Sequence, residues 1–271
     1  MEKVFNTGET PSELKQKYNP EGSVLRKVQL RMLDMLIYID GICKELNIDY
    51  MLDGGNLIGS LRHGGFIPWD DDIDILMHPR DIKKIREYLM KNPHPQYVLQ
   101  NHSTDSGYYQ INWDVLRDTK SEYLQDSQLH NMRKYRGVQI DIFGFESNHN
   151  FFLQKVASWI FNRLISRNYG KSKKLLKVNY FLICNVIYPI LGLLKKVFGK
   201  RNVYSHSFGF GTIVPVEKEI IYPLKKVMFE GHAFSSFAKP EKYLNKIYKN
   251  FMDLPPIDKR NHHQANYKIW D

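Results

Sequence analysis

A chain of 271 residues, 42% hydrophobic and 25% charged, has room for one large domain or two small ones and the balance of a soluble globular protein. Two cysteines, Cys43 and Cys184, exclude a disulfide framework and a cysteine zinc cluster; with a polar start, MEKVFNTGET, that lacks an apolar signal core, they favour a reducing cytoplasm. The net charge of +10 calls for an anionic partner, whether nucleic acid, a nucleotide or an anionic membrane surface.

Residues 1–22 are polar, hold Pro11, Pro20 and Gly22, and read as a loose N-terminal arm. From an N-cap at Ser23, Leu25, Val28, Met32, Leu36 and Ile39 recur at three- and four-residue spacings, which predicts a helix to about Leu46 ended by Asn47. IDYML predicts a short strand into the turn Asp53-Gly54-Gly55, and NLIGSLRHGG a short helix or turn closed by Gly64-Gly65. DIDILM is a strand, PRDIKKIREYLMKN a helix and YVLQN a strand; YYQINWDVLRD and GVQIDIFGFE alternate as strands do. Residues 151–198 are apolar and basic with almost no acids. Beyond them TIVPVEKEIIYPLKKVMFEGHAFSS reads as short strands and turns, PEKYLNKIYKNFM as a helix opened by Pro240, and DLPPIDKRNHH as irregular.

The stretch FIPWDDDIDIL puts Asp70, Asp71, Asp72 and Asp74 among strand formers. Carboxylates this close repel and raise one another's pKa unless a cation sits among them. On a strand, Asp70, Asp72 and Asp74 share one face, while Asp71 turns away toward an arginine or a backbone N–H. Asp141, in a second acidic strand IDI, reaches the same spot if the two strands are neighbours. Three carboxylates converging on a rigid sheet make a hard-oxygen site for Mg²⁺ or Mn²⁺. A calcium loop is excluded because its sixth position, which needs glycine, is Ile75. A solvated acidic strand end is the plainer alternative. Upstream, Gly54-Gly55 allow backbone N–H groups and a helix N-terminus to approach phosphate. A glycine turn, a helix and then Asp-x-Asp is the layout of a polymerase-like nucleotidyltransferase site.

These residues carry a family resemblance. GGNLIGSLRHGGFIPWDDDIDILM resembles the signature of the LicD family, phosphocholine transferases of bacterial surface polysaccharides, with the pattern on Gly55 to Asp74 and Asn56 in place of a small hydroxyl residue. RGVQIDIFGFE resembles the family's second acidic strand, with Gly144 for a proline, and IYPLKKVMFEG and YLNKIYKNFMDLPPIDKRNHH resemble its C-terminal blocks. The match runs well from Ser23 to Asp141, less fully over 220–263, and hardly at all over 151–215. Fukutin-type ribitol-phosphate transferases look like relatives.

The resemblance implies an α+β nucleotidyltransferase fold of the polymerase-beta kind, a mixed sheet flanked by helices with a helical apolar and basic insertion. The chain then divides into an arm (1–22), a catalytic core (23–150), an insertion that is membrane-proximal or core (151–215) and a C-terminal part of the catalytic domain (216–271). Asp72, Asp74 and Asp141 are the implied catalytic and metal-ligating residues, for Mg²⁺ or Mn²⁺. The implied donor is a CDP-alcohol, CDP-choline first, with glycerol, ribitol and ethanolamine open. The implied acceptor is a hydroxyl of a cell-surface glycan or its lipid-linked precursor. Gly55, Asn56, Ser60, Arg62, His63, Trp69 and Arg117 are the implied substrate-binding set. Within it the Asn56 amide stands in for the hydroxyl, and Arg62 and His63 either steady phosphate or pair and pack. Arg117 reaches donor phosphate or a surface acid. Trp69, Trp113, Tyr108 and Tyr109 either cage a quaternary ammonium or belong to the core.

Two other functions stay open: a nucleotidyltransferase using a nucleoside triphosphate, and a binding protein that has kept the fold. Nucleic acid is not expected, because the basic residues of 151–201 are mixed with Leu, Ile and Phe rather than forming a plain basic groove. Residues 178–198 are apolar over nearly the length of a span, but Asn179, Asn185 and Pro189 interrupt them and Lys195-Lys196 end them. A buried helix pair, a span, and an interfacial segment with Arg163, Arg167, Lys171, Lys173, Lys174 and Lys177 facing anionic lipid are the three readings. The expected location is the cytoplasm, peripheral on the inner face of the membrane.

Overall fold

The structure, a computed structural model, describes residues 3–124, 127–211, 213–260 and 266–270. The expected loose arm is instead a packed helix, α1 (Pro11–Tyr18). Thr10 and Glu13 cap it reciprocally, a signal present in the sequence as T-x-x-E. Phe5 and Leu14 are buried in the main core. The Ser23 hydroxyl accepts from Arg26 N–H and starts α2 (Val24–Glu45), which buries Val28, Met32, Met35, Leu36 and Ile39. Asn47, at φ 50°, turns the chain out of the helix.

There follow β1 (Tyr50–Leu52), α3 (Gly54–His63), β2 (Asp74–Met77), α4 (Pro79–Lys91), β3 (Tyr97–Gln100), β4 (Trp113–Asp118), β5 (Ser121–Leu124), α5 (Gln128–Met132) and β6 (Gln139–Glu146). Next come α6 (Phe151–Leu164), α7 (Lys173–Leu182) and α8 (Tyr188–Phe198), the last two continuous through a π-helical turn at Ile183–Ile187. The chain closes with β7 (Val203–His206), β8 (Val216–Glu217), α9 (Lys218–Ile221), β9 (Lys225–Phe229), β10 (His232–Ser236), α10 (Pro240–Ile247) and β11 (Asn266–Ile269).

The main sheet runs β1-β2-β6-β4-β3, with β7 on β6 and β8 on β7. Only the β2–β6 pair is parallel; the other pairs of this sheet are antiparallel, so it is mixed, with helices flanking it. This is an α+β fold. The main core joins α2, α4 and α10 to the sheet. A second cluster gathers Leu153, Ala157, Phe161, Leu176, Ile183, Tyr188 and Leu191 around Tyr109, Ile111 and Phe208.

Several elements differ from expectation for local reasons. The strand expected over YYQINWDVLRD begins only at Trp113, because Tyr108 N–H closes a turn onto Asp105 O and Asn112 sits at φ 56°. The Pro240 helix stops at Ile247, and EKEII forms most of a short helix rather than a strand. β11 pairs with β5 across more than 140 residues, a pairing with no local signal. Of the tail expected to be irregular, residues 261–263 lie outside the described residues.

One helix among the described residues, Lys173–Phe198, is long and apolar enough to cross a membrane by length and composition. A buried core pair is not what the structure shows, since only 22% of its most apolar window is buried. Val178, Phe181, Ile190, Leu193, Val197 and Phe198 are exposed, as are Phe151, Phe152 and Trp159 of α6.

Candidate active site

Asp74 opens β2, and its partner across the parallel ladder is Asp141 of β6. Paired residues on neighbouring strands point to the same face, and alternate residues of one strand share it. Gln139, Asp141 and Phe143 of β6 therefore face the same way as Arg117, Val115 and Trp113, their partners on β4. This face floors a cavity of about 420 Å³, also lined by Asp71, Asp72, Tyr123, His130, Arg133, Phe210 and Tyr267.

The aspartates crowd one another. Burial, then the charges of Asp72, Asp141, Asp53 and Asp70, pushes the Asp74 carboxyl well above the usual carboxylate range. Burial, then Asp72 and Asp71, does the same to Asp70. Burial also raises Asp141, opposed by the Trp113 indole N–H, which donates to its Oδ1 at 2.9 Å, by Arg117, and by the Gln139 amide, which donates to its Oδ2 at 2.6 Å. Among the described residues no three His, Cys, Asp or Glu side chains already form a closed metal cage. Asp74 and Asp141 are nevertheless in register, Asp72 lines the same cavity, and the donors are all hard oxygens that crowd one another, a set that fits Mg²⁺ or Mn²⁺.

The sign of the pH effect follows from this. A carboxyl raised in the folded state contributes stability that is complete below its unfolded value of 3.8 and is lost as pH rises through the folded value. In EDTA, the melting temperature should therefore fall as pH rises from the acid range toward neutrality, and fall less in Asp74→Asn. Equal pH dependence in the two proteins, by thermal unfolding, would contradict the crowding.

Of the residues the sequence singled out, Asp72, Asp74, Asp141 and Arg117 line this cavity, and Gly55, Asn56, Ser60, Arg62, His63 and Trp69 do not. Gly55 offers no open cradle: a Cβ there would stand 2.4 Å from Asp70 Oδ2, so the glycine accommodates the chain's own carboxylate. The Asn56 side chain spans the entrance to β2, donating to Asp72 O at 2.9 Å and accepting from Asp74 N–H at 2.6 Å. Ser60 has a buried hydroxyl with no partner among the described residues. Arg62 donates to the carbonyls of Phe251 and Asp253, both at 2.8 Å, and so clamps the C-terminal segment rather than a phosphate. Burial, then the Arg62 charge, pulls the His63 imidazole down to about 3, and its ring packs near Phe5 and Trp69.

Of the two readings of Trp69, Trp113, Tyr108 and Tyr109, the cage does not assemble. Trp69, Tyr108 and Tyr109 are buried outside the cavity, and only Trp113 lines it. Asp71, expected to face away, lines the cavity and accepts a hydrogen bond from the Tyr267 hydroxyl. The alternation failed there because β2 begins only at Asp74. Asn56→Ala should leave the Asp74 N–H unpaired and cost about 1–3 kcal/mol of stability, measurable by urea unfolding. An unchanged midpoint would remove the assigned positioning role.

Sequence reasoning missed His130, Arg133, Tyr123, Phe143, Phe210 and Tyr267. The basic run RKYR in the β5–β6 connection was a usable signal for Arg133. Phe210 and Tyr267 arrive from distant segments and gave none. A larger cavity, about 630 Å³, lies between α8 and the loop after β3. Its one acid, Glu146, faces Lys195 Nζ at 3.2 Å, and it holds no carboxylate cluster.

Residues 47–173 match the family model "LicD/FKTN/FKRP, nucleotidyltransferase domain". The lipopolysaccharide cholinephosphotransferase LicD of Haemophilus influenzae is 26% identical over 264 residues, which cover 88% of this chain and 96% of that protein. The ribitol 5-phosphate transferase FKRP of Homo sapiens is 32% identical over 75 residues, 28% of this chain and 14% of FKRP. The aspartate strands β2 and β6 both fall inside the matched region. The chain carries a LicD-family domain.

Proposed function

We propose that this chain transfers a phospho-alcohol, phosphocholine first, from a CDP-alcohol to a hydroxyl of a cell-surface glycan or its lipid-linked precursor, releasing CMP. The observation that carries the reading is Asp74 in register with Asp141 across parallel strands, with Asp72 and Arg117 in the same cavity. The sheet order and the glycine-led α3 ahead of the acidic strand support a nucleotidyltransferase fold. In that layout 23–150 and 216–271 form the catalytic part and 151–215 an insertion. The relatives are named for cholinephosphate and ribitol 5-phosphate transfer, which supports a phospho-alcohol and keeps ribitol beside choline.

The acceptor oxygen bonds to the phosphorus that bears the alcohol, the bond from that phosphorus to the CMP oxygen breaks, and CMP leaves with the electron pair. Mg²⁺ or Mn²⁺ held by Asp72, Asp74 and Asp141 would neutralise diphosphate charge. Asp141 is also placed to take the hydroxyl proton, with Trp113 and Gln139 fixing its carboxylate. Release of CMP is to be compared for CDP-choline, CDP-glycerol, CDP-ribitol and CDP-ethanolamine. Turnover of one supports the reading; inactivity with all four beside turnover of a nucleoside triphosphate replaces it with nucleotidyl transfer.

The same reading places the enzyme on the cytoplasmic face of the membrane. Between Glu146 and Glu217 the chain holds no acid, while Arg163, Arg167, Lys171, Lys173, Lys174 and Lys177 accompany the exposed apolar residues of α6–α8. Such a surface suits anionic headgroups, with the apolar side chains at the acyl boundary. The protein should sediment with anionic liposomes at low salt, and less so when these six basic residues become Gln. No binding at low salt would sink the membrane contact.

A further inference from the structure

The cavity that holds the aspartates also holds basic side chains with unused hydrogen-bonding atoms. Arg117 is 1% exposed, yet its Nη2 finds no hydrogen-bond partner among the described residues. Its Nε is held by Gln100 Oε1 and its Nη1 by Gly137 O, so the guanidinium is fixed by neutral acceptors. His130, 4% exposed, has an unpartnered Nε2, and Arg133 a buried, unpartnered Nε. All three line the cavity. Burial, and then the charge of Arg133, pulls the Arg117 guanidinium down to about 10, so the two cations stand near enough to oppose each other. Buried N–H donors without acceptors are costly, and the charge of Asp141 opposes the effects of burial and of Arg133 on the Arg117 guanidinium without cancelling them.

We propose that Arg117, Arg133 and His130 form an anion subsite that takes a phosphate group of the donor's diphosphate, beside the aspartates. The inference rests on the function proposed above and adds the residues that grip the phosphate. Arg117 lies on the same sheet face as Asp141, two residues along β4 from Val115, the partner of Asp141. A diphosphate has two charged centres, and this cavity has two kinds of charge to meet them: carboxylates for a bridging cation and guanidinium N–H donors for the oxygens directly. The cavity is also roomy enough for a diphosphate, at about 420 Å³. The Arg133 guanidinium lies 5.2 Å over the Tyr108 ring and enters no ion pair among the described residues, so it can meet an anion without breaking one.

The test is calorimetric titration of inorganic pyrophosphate into the full chain, in EDTA and again with Mg²⁺. Wild type should bind saturably. Arg133→Gln should weaken binding about tenfold, the loss of one charge-assisted hydrogen bond, and Arg133→Lys should recover part of it. Lys134→Gln, an exposed neighbour, should keep the wild-type value. Arg117→Lys is the second variant; its fold is checked by thermal unfolding, because the side chain is buried. Absence of saturable binding by wild type, or equal affinity in Arg133→Gln, would overturn the subsite. Failure of the function is separate: normal pyrophosphate behaviour with no CMP released from any CDP-alcohol keeps the subsite and ends the reading. An unchanged donor KM in an active Arg133→Gln ends the subsite alone.

Discussion

Asp74→Asn should lower CMP release by about three orders of magnitude or more while the protein keeps its fold. Asn has the shape of Asp, so packing is conserved. What it lacks is the charge that would hold a cation beside Asp141 and meet the diphosphate. Because Asp74 is buried among Asp72, Asp141, Asp53 and Asp70, removing its charge relieves repulsion, so the melting temperature should hold or rise. Loss of activity without loss of stability separates a chemical role from a structural one. Asp72→Asn and Asp141→Asn should behave alike. For Asp141 the substitution also puts an amide against the Gln139 amide donor, which sits 2.6 Å from Oδ2. A wild-type rate in Asp141→Asn would remove its assigned role.

Gly59→Ala should be the most damaging of the small changes to the motif helix. A Cβ there would lie 2.3 Å from Gly65 O and 3.2 Å from Ile67 N, both backbone atoms of the loop that folds back over α3. Backbone cannot swing aside as the end of a long side chain can. The cost should be about 1–3 kcal/mol by denaturant unfolding, and the loop it displaces leads directly into Asp70–Asp74. Gly41→Ala is the matched comparison: it also lies in a helix, nothing stands within 4 Å of its Cβ position, and Ala there should gain up to about 1 kcal/mol. A Gly59→Ala protein as stable as wild type would show that the loop yields more easily than its contacts indicate.

The carboxylates were legible in the sequence because strand alternation and a repeated Ile-Asp-Ile pattern are local properties. Pairing β2 with β6 needed only that two apolar strands share a core, and Asp74 and Asp141 then met in register. Most of the implied substrate-binding residues lie outside the aspartate cavity for a physical reason. Gly55, Asn56 and Arg62 look like ligands of an anion by type, but each is used by the chain's own backbone or by Asp70. Which partner a polar group takes depends on segments nearly two hundred residues away, such as Phe251 and Asp253. Gly144 is also set by distant segments. Its N–H donates to Asn112 O, and a Cβ would press on Ser207 Oγ at 2.8 Å. The polarity of 1–22 suggests an arm, but the Thr10–Glu13 cap and the buried Phe5 and Leu14 hold it against the core.

The central claim is that an acidic pair on parallel strands works through a divalent cation on a CDP-alcohol. Its most direct test is CMP release from CDP-choline by the full chain, measured in EDTA and again after excess Mg²⁺ or Mn²⁺ is added. The account predicts that release stops in EDTA, returns with either metal, and does not return in Asp74→Asn. Release that continues undiminished in EDTA would contradict it.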